Sequence, residues 1–330
     1  MSALAPTLQA YFTERLITQR DASPQTIAAY RDTFRLLLRF AQKQTGKQPF
    51  QLDIEDLDAP LIGAFLTHLE LGRGNSPRTR NARLGAIHSF YRYAALRHPE
   101  HLDTIARIMA IPTKRHERND LTYLTKPEIE ALLQAPDLTT WLGRRDHTLL
   151  LTMITTGVRV SELIAITIND VTLANGAQHL RVHGKGRKNR TTPLKAETTT
   201  ALRAWLHERA GAPEDPLFPT QQGHPLHRQT IALLVTKHAR AAAGRCPSLA
   251  TKRISPHTLR HTNAMLLQAE RIDIATIALW LGHESIKTTY IYQHADNQIK
   301  QQAIDRTATI DTPPGRYKPP DSLIAFLEAL

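Results

Sequence analysis

The chain of 330 residues contains a single cysteine, Cys246. One thiol excludes an internal disulfide framework and a zinc site built from four cysteines. No apolar run approaches the ~20 residues that a membrane-spanning helix needs, and the N-terminus lacks the basic-then-apolar order of a secretion signal. These absences predict a soluble protein of a reducing cytoplasm that does not act at a membrane.

Several functional motifs are also missing. The sequence has neither a P-loop nor a G-x-G-x-x-G segment, which argues against a nucleotide-powered motor and a dinucleotide enzyme. Its 16 histidines are scattered, without H-E-x-x-H or Cys/His ligand spacing, so a metalloprotein is disfavoured.

Positive charge is plentiful. Lys and Arg number 42 against 30 acidic residues, which gives a net charge of +12 and a pI near 10.0. The excess is the same before and after residue 118, so it does not come from one basic tail. An even excess suits a protein that holds a polyanion such as DNA from two sides. A basic protein of another kind, for example one associated with ribosomes, is the alternative that charge leaves open.

Length and a hydrophobic fraction of 41% allow two domains with substantial cores. The first part is predicted to be helical. Ser23–Pro24 and Ser76–Pro77 are N-cap and first-turn pairs, each followed by apolar residues at helical spacing. Shorter helices near 7–18 and 59–71 complete a unit of four or five helices.

Basic side chains decorate the helix that begins after Ser76. Arg78, Arg80 and Arg83 are candidates for DNA contacts; a solvated helix face is the alternative reading.

A polar, charged segment at 111–121 predicts a linker, and Thr125 with Glu128 has capping-box spacing at the start of the next helix. Beyond it the pattern is mixed. "HLRVHG" and "NRTTPL" predict two short strands joined by the turn "GKGRK", and further helices follow. The predicted fold class is mainly α with a small β-sheet (α+β).

The last ten residues, "DSLIAFLEAL", form an amphipathic helical pattern behind the extended segment "TPPGRYKPP". Such a helix docks either on a second copy of the chain or on its own domain, and the sequence leaves both open.

Four segments are rich in side chains suited to an anionic reaction centre, and two tyrosines lie close together in the last of them. Tyr290 and Tyr292 would point roughly 200° apart on a helix, so one of them faces the site; the residues alone do not say which. Each segment by itself has an ordinary explanation, such as an ion pair between Arg159 and Glu162 or a core histidine. The segments are "TTGVRVSEL" with Arg159, "VHGKGRKNR" with Lys185, "SPHTLRH" with His257 and Arg260, and "LGHESIKTTYIY" with His283.

Together, and in this order, the segments resemble the tyrosine recombinase (phage-integrase) family, particularly its Xer-type members and the integrases of bacterial mobile elements. The resemblance covers essentially the whole chain. It implies a helical, SAM-like core-binding domain at 1–112, a linker at 113–120, a catalytic domain at 121–312, and a tether with a docking helix at 313–330.

The resemblance also implies roles. Tyr292, nine residues beyond His283, would be the nucleophile. Arg159 and Arg260 would stabilise the phosphate, because guanidinium groups match its geometry. The remaining assignments are His257 as an acid/base near the tyrosine's proton, His283 as a phosphate ligand, Lys185 as the acid for the departing 5′ oxygen, Glu162 as the support of Arg159, and Arg187, Lys188 and Arg190 as contacts to backbone phosphates.

The implied function is a site-specific DNA recombinase that works through a 3′-phosphotyrosyl intermediate without metal, ATP or another cofactor. Expected partners are double-stranded DNA with inverted-repeat sites and further copies of the chain in a dimer or tetramer. The sequence leaves open whether partner recombinases are also required. The expected location is the bacterial cytoplasm, at the nucleoid. A type IB topoisomerase and a silent DNA-binding regulator of the same fold are the alternatives. Asn263 departs from the family pattern, which commonly has a smaller residue there.

Overall fold

The computed structural model describes residues 4–115, 121–174, 176, 178–184, 189–283, 288–290 and 292. The chain divides into two compact units, Met1–Asn119 and Asp120–Leu330. Three predicted features lie outside the described residues: the tip of the "GKGRK" turn at 185–188, the Pro-rich tether and the C-terminal helix. Within the described residues, no helix is both long and apolar enough to span a bilayer.

The first unit is helical, as predicted. Ser23 and Ser76 are the N-caps of two of its helices, and each hydroxyl accepts a hydrogen bond from the backbone N–H three residues later. The chain between α1 and α2 continues as a π-type helix over Tyr11–Gln19. The α-helices are α1 (Leu4–Ala10), α2 (Pro24–Thr45), α3 (Ala59–Leu71), α4 (Pro77–Ala94) and α5 (Leu102–Met109).

Aromatic rings occupy the core of this unit. Phe34 on α2 and Tyr11 both pack edge-on against Phe90 of α4, with ring centroids 5.2 and 5.5 Å apart. All three side chains are buried, so these contacts join α2, α4 and the π-type helix through apolar burial and edge-to-face geometry.

The segment after α5 is attached to α4. Arg80 donates from Nη1 to the carbonyl oxygen of Pro112 (2.8 Å). Asn81 bonds both backbone groups of Lys114. The beginning of the predicted linker is therefore held on the helical unit.

The second unit combines seven described α-helices with a three-stranded antiparallel sheet in the order β1-β2-β3. Leu180 and Val182 of β2 are fully buried, which places one face of the sheet on the core. The elements are α6 (Lys126–Leu133), α7 (Trp141–Thr156), α8 (Val160–Ala165), β1 (Val171–Thr172), β2 (His179–His183), β3 (Asn189–Pro193), α9 (Ala196–Arg209), α10 (Arg228–Ala243), α11 (Pro256–Ala269) and α12 (Ile274–Leu281).

Local signals define several of these elements. Thr125 and Glu128 form the predicted capping box, in which the carboxylate accepts from the Thr125 N–H (2.8 Å). Ser255 caps α11. Gly157 ends α7 with φ +65°, a left-handed conformation that glycine adopts without strain. The chain then turns directly into α8.

Candidate active site

The site is built around the C-terminal end of α7. Its last carbonyls have no partner within the helix, and neighbouring helices supply donors. Asn263 of α11, 3% exposed, donates from Nδ2 to the carbonyls of Ile154 (2.9 Å) and Thr155 (2.8 Å). Its Oδ1 lies 2.6 Å from the position that a Cβ on Gly157 would take. The residue that departs from the family pattern is thus a packing element that fixes α7 to α11.

Arg159 follows the Gly157 turn and is the N-cap residue of α8. Its backbone N–H and its Nη1 both donate to the carboxylate of Glu162, at 2.8 and 2.7 Å. Arg190 of β3 donates to the same carboxylate through Nη1 (3.0 Å) and Nη2 (2.8 Å). Glu162 is 4% exposed and therefore holds two guanidinium groups at once.

Three arginines donate hydrogen bonds to the C-terminal end of α12. Consecutive carbonyls accept from three different guanidinium groups: Trp280 from Arg190 (3.1 Å), Leu281 from Arg260 (2.6 Å) and Gly282 from Arg159 (3.1 Å). These carbonyls carry the negative end of the helix dipole, which favours cations. The second Arg260 bond runs to the carbonyl of Gly157 at the end of α7 (2.6 Å).

Gly282 makes this arrangement sterically possible. It has φ +64°, and a Cβ there would lie 2.9 Å from Nη1 and 3.2 Å from Cδ of Arg190. A side chain there would force Arg190 to shift from the position in which it binds Glu162 and Trp280.

The charge balance of the cluster is positive. Burial alone would raise the pKa of Glu162, but its hydrogen bonds from Arg190 and from Arg159 hold that pKa at about 2, so the carboxylate is ionised. Burial, together with the charge of Arg159, lowers the pKa of Arg260 to about 10, and its guanidinium remains protonated at neutral pH. Three cations against one anion create a positive pocket suited to a phosphate.

His283 follows directly on the end of α12. Its Nδ1 lies 2.7 Å from the hydroxyl of Thr289, which is fully buried. Burial and the charges of Arg260 and Arg159 lower the pKa of His283 to about 4, so the ring is neutral at pH 7. If Nδ1 accepts from the Thr289 hydroxyl, the ring carries its proton on Nε2, where it can be donated to an anion.

The two tyrosines have different surroundings. Tyr292 is 1% exposed and packs with Met265, Ile277 and Leu281, whereas Tyr290 is 42% exposed. The structure therefore turns Tyr292 inward, toward the site.

The hydroxyl of Tyr292 contacts a histidine that the sequence analysis did not assign. Nδ1 of His261 lies 3.0 Å from the phenol oxygen, and the two rings meet edge-on with centroids 5.6 Å apart. His257, expected near this proton, is exposed at the start of α11, and its ring centroid lies 6.1 Å from that of His261. Among the described residues, His261 is the hydrogen-bond partner of the tyrosine. The signal was its position directly after Arg260 in H-x-x-R-H.

Hydrogen bonds also hold the strands on either side of residues 185–188. His183 at the end of β2 bonds Asn189 at the start of β3 (2.9 Å) and the buried carboxylate of Asp170 (3.0 Å). These bonds raise the pKa of His183. The three predicted residues at the turn, Lys185, Arg187 and Lys188, lie outside the described residues.

Two of the predicted DNA contacts have other partners in the structure. Arg190 is bound to Glu162 and Trp280 as described above, with a side chain 13% exposed, so it positions the cluster instead of facing solvent. Arg80 is 6% exposed and donates to Pro112, because it lies on the inner side of α4. For both residues the prediction of a free phosphate contact conflicts with these contacts.

Arg78 and Arg83 differ from Arg80. Arg78 is exposed. Arg83 is half-buried, and burial together with the charge of Arg73 lowers its pKa. Its Nε is a buried donor without a partner among the described residues. The neighbouring charges of Arg73 and Arg83, with the unmatched donor on Arg83, are suited to an anion.

No group of three or more His, Cys, Asp or Glu side chains in the described ranges could hold a metal ion. The chemistry that the described site offers is that of a phenol, neutral imidazoles and fixed guanidinium groups.

Comparisons with known proteins identify the family of the chain. The phage integrase family matches residues 122–298, and the phage integrase N-terminal SAM-like domain matches residues 10–98. The Sinorhizobium fredii protein y4rC, which carries the name integrase/recombinase, is 48% identical over 100% of this chain and 99% of its own length. Tyrosine recombinase XerD of Pseudomonas putida is 34% identical, covering 92% of this chain and 97% of its own length.

Two solved structures share the fold. The XerH site-specific recombinase bound to difH substrate, in a pre-cleavage complex, has a TM-score of 0.65 and 25% identity, covering 89% of this chain and 83% of that chain. The Tn1549 transposon integrase in complex with transposon right-end DNA has a TM-score of 0.70 at 16% identity, covering 91% and 98%; this likeness concerns the fold. The chain belongs to the phage integrase family and is a tyrosine-type site-specific recombinase.

Proposed function

We propose that Tyr292 cuts one DNA strand by attacking a phosphodiester held by Arg159, Arg260 and His283. The observation that supports this most directly is that Arg159, Arg190 and Arg260 converge on carbonyls at the ends of α7 and α12, with an inward-facing tyrosine beside them.

In the proposed step, the Tyr292 oxygen forms a bond to phosphorus and the bond from phosphorus to the 5′ oxygen breaks. Lys185 supplies the proton that the 5′ oxygen needs, as the family resemblance implies. The products are a 3′-phosphotyrosyl link and a free 5′ hydroxyl. Because the phosphodiester energy is kept in the covalent link, a 5′ hydroxyl of another strand can reverse the reaction without ATP.

The arginines act on the charge that develops during this step. Attack places additional negative charge on the non-bridging oxygens, and donors already oriented toward it stabilise the transition state. A single such donor is worth about 3–4 kcal/mol. Arg260 is oriented by two carbonyls and Arg159 by Glu162 and one carbonyl, so neither has to be ordered when DNA arrives. In this proposal, guanidinium groups supply the positive charge, and the reaction requires no metal ion.

Double-stranded DNA is the proposed substrate. Of the two solved structures named above, one is bound to difH substrate and the other is in complex with transposon right-end DNA. The excess of basic residues is spread over both parts of the chain. In the helical unit, Arg78 and Arg83 are the proposed phosphate contacts, and in the second unit Arg187 and Lys188 are. Binding of this kind weakens steeply with salt.

The proposal extends to assembly and biological role. We expect the chain to act as a tetramer on two inverted-repeat sites, with the segment at 321–330 docking between copies. Transposition or integration of a mobile element, in the bacterial cytoplasm and with or without partner recombinases, is the expected setting.

The test is covalent trapping on a nicked suicide substrate, followed by mapping of the modified peptide and the DNA end. Tyr292→Phe should bind DNA and form no adduct. Tyr290→Phe is the matched control, because the same hydroxyl is removed from an exposed ring, and it should form the adduct at the wild-type rate. An adduct that survives in Tyr292→Phe and disappears in Tyr290→Phe would show that the assignment is wrong.

Two further readouts separate the proposal from its alternatives. Transfer of the cut strand to a second duplex is expected of a recombinase, whereas a topoisomerase reseals the same strand. Excess EDTA should leave adduct formation unchanged, and strong inhibition would contradict cleavage without metal.

A further inference from the structure

The contact between His261 and Tyr292 raises the question of where the phenol proton goes. A phenol has a pKa near ~10, and burial raises that of Tyr292 further, against the opposing charges of Arg260 and Arg159. The oxygen is therefore protonated in the resting site. It has to lose that proton as it bonds to phosphorus, and a side chain within hydrogen-bond distance can take it.

We propose that His261 is the proton acceptor for Tyr292, a role that rests on the proposed function and adds a catalytic residue to it. Nδ1 accepts the hydrogen bond from the phenol at 3.0 Å, which requires the tautomer that carries its proton on Nε2. As the tyrosine oxygen bonds to phosphorus, its proton moves to Nδ1 and the ring becomes an imidazolium. In the reverse step, the imidazolium returns the proton as the tyrosine oxygen leaves phosphorus.

The surroundings of His261 favour this role. The ring is half-buried on α11, between His257 and Tyr292. Burial and the neighbouring His257 and Arg260 lower its pKa to about 4, so it is neutral and able to accept at pH 7. A bound phosphodiester brings negative charge, which favours the protonated ring and strengthens the base when the reaction needs it.

His257 is less well placed for the same task. It lies one helical turn earlier, its ring is exposed, and the described contacts of the phenol oxygen lead to His261. The proton acceptor is thus His261, which directly follows Arg260, and not His257, which lies three residues before Arg260.

Two substitutions separate proton transfer from simple positioning. His261→Ala removes the acceptor. His261→Asn keeps an oxygen that can accept the phenol's hydrogen bond but cannot take up its proton. With saturating DNA, we expect both variants to form the adduct about 100-fold more slowly or worse, the usual range for a lost general base. His207→Asn, the same change at an exposed histidine of α9, should match the wild type.

A second measurement identifies which oxygen His261 serves. In a substrate with sulfur in place of the bridging 5′ oxygen, the leaving thiolate needs no proton. This substrate should restore adduct formation in Lys185→Ala and leave His261→Ala slow.

A wild-type rate in His261→Asn would overturn the proposal, because the residue would then be a positioning group. Rates near the wild type in both variants would also overturn it. So would rescue of His261→Ala by the sulfur substrate. A wild-type protein that forms no Tyr292 adduct would instead overturn the proposed function itself.

Discussion

Replacing Glu162 by Gln tests whether one buried carboxylate holds the cationic site together. The change keeps the shape of the side chain and removes the charge that Arg159 and Arg190 share. The pKa of Glu162 lies at about 2 instead of the usual 4.5. At about 1.4 kcal/mol for each pKa unit, this difference corresponds to about 3.5 kcal/mol of stability at pH 7.

The sign of the pH dependence follows from the same numbers. Because the pKa is lower in the folded protein, the contribution is fully present above the unfolded value of 4.5 and is lost as pH falls toward about 2. The difference in unfolding free energy between the wild type and Glu162→Gln should therefore be constant between pH 6 and 8. At pH 3.5 this difference in unfolding free energy should be about 1.4 kcal/mol smaller.

The three tryptophans, Trp141, Trp205 and Trp280, all lie in the second unit. Urea unfolding followed by tryptophan fluorescence thus reports on the unit that contains Glu162. Glu197→Gln, the same change at an exposed glutamate of α9, should stay within about 0.5 kcal/mol of the wild type. If Glu162→Gln is also within that margin at pH 7, the carboxylate does not stabilise the arginine cluster and the reasoning fails.

Three further predictions concern the surroundings of the site. Thr289→Val removes the hydroxyl that orients His283. Adduct formation should then fall about tenfold with DNA binding unchanged. An unchanged rate would show that the hydroxyl does not orient the ring. Gly282→Ala should lose about 1–3 kcal/mol more unfolding free energy than Gly176→Ala in the same fluorescence assay, because both have positive φ but only the first would bring a Cβ against an arginine; equal losses would contradict the steric argument. Arg78→Gln should weaken DNA binding and reduce its salt slope by about one, whereas Arg80→Gln should lower the melting temperature and leave the slope unchanged; the opposite pattern would reverse their roles.

Local signals made much of the fold predictable. Ser23, Ser76 and Ser255 each precede a proline and begin a helix, since a capping oxygen and a fixed φ act within one turn. The strands β2 and β3 were likewise predicted. By contrast, β1 has two residues and α8 has six, which is too short for a periodic pattern to show.

Whether an individual arginine is free to contact DNA depends on residues that lie far from it in the sequence, and local patterns do not show these contacts. Arg80 decorates a basic helix, yet it points inward because Pro112 returns to α4 more than thirty residues later. Arg190 follows a basic turn, and its partners, Glu162 and Trp280, lie in other elements. The ion pair of Arg159 with Glu162, three residues apart, was within reach of sequence reasoning and is present.

The row of carbonyls at 280–282 has a mechanical consequence. Each oxygen is bonded to a different guanidinium group, so a shift of α12 along its axis would disturb all three hydrogen bonds at once. Substitutions among these arginines should then be strongly non-additive, since losing one anchor loosens the others.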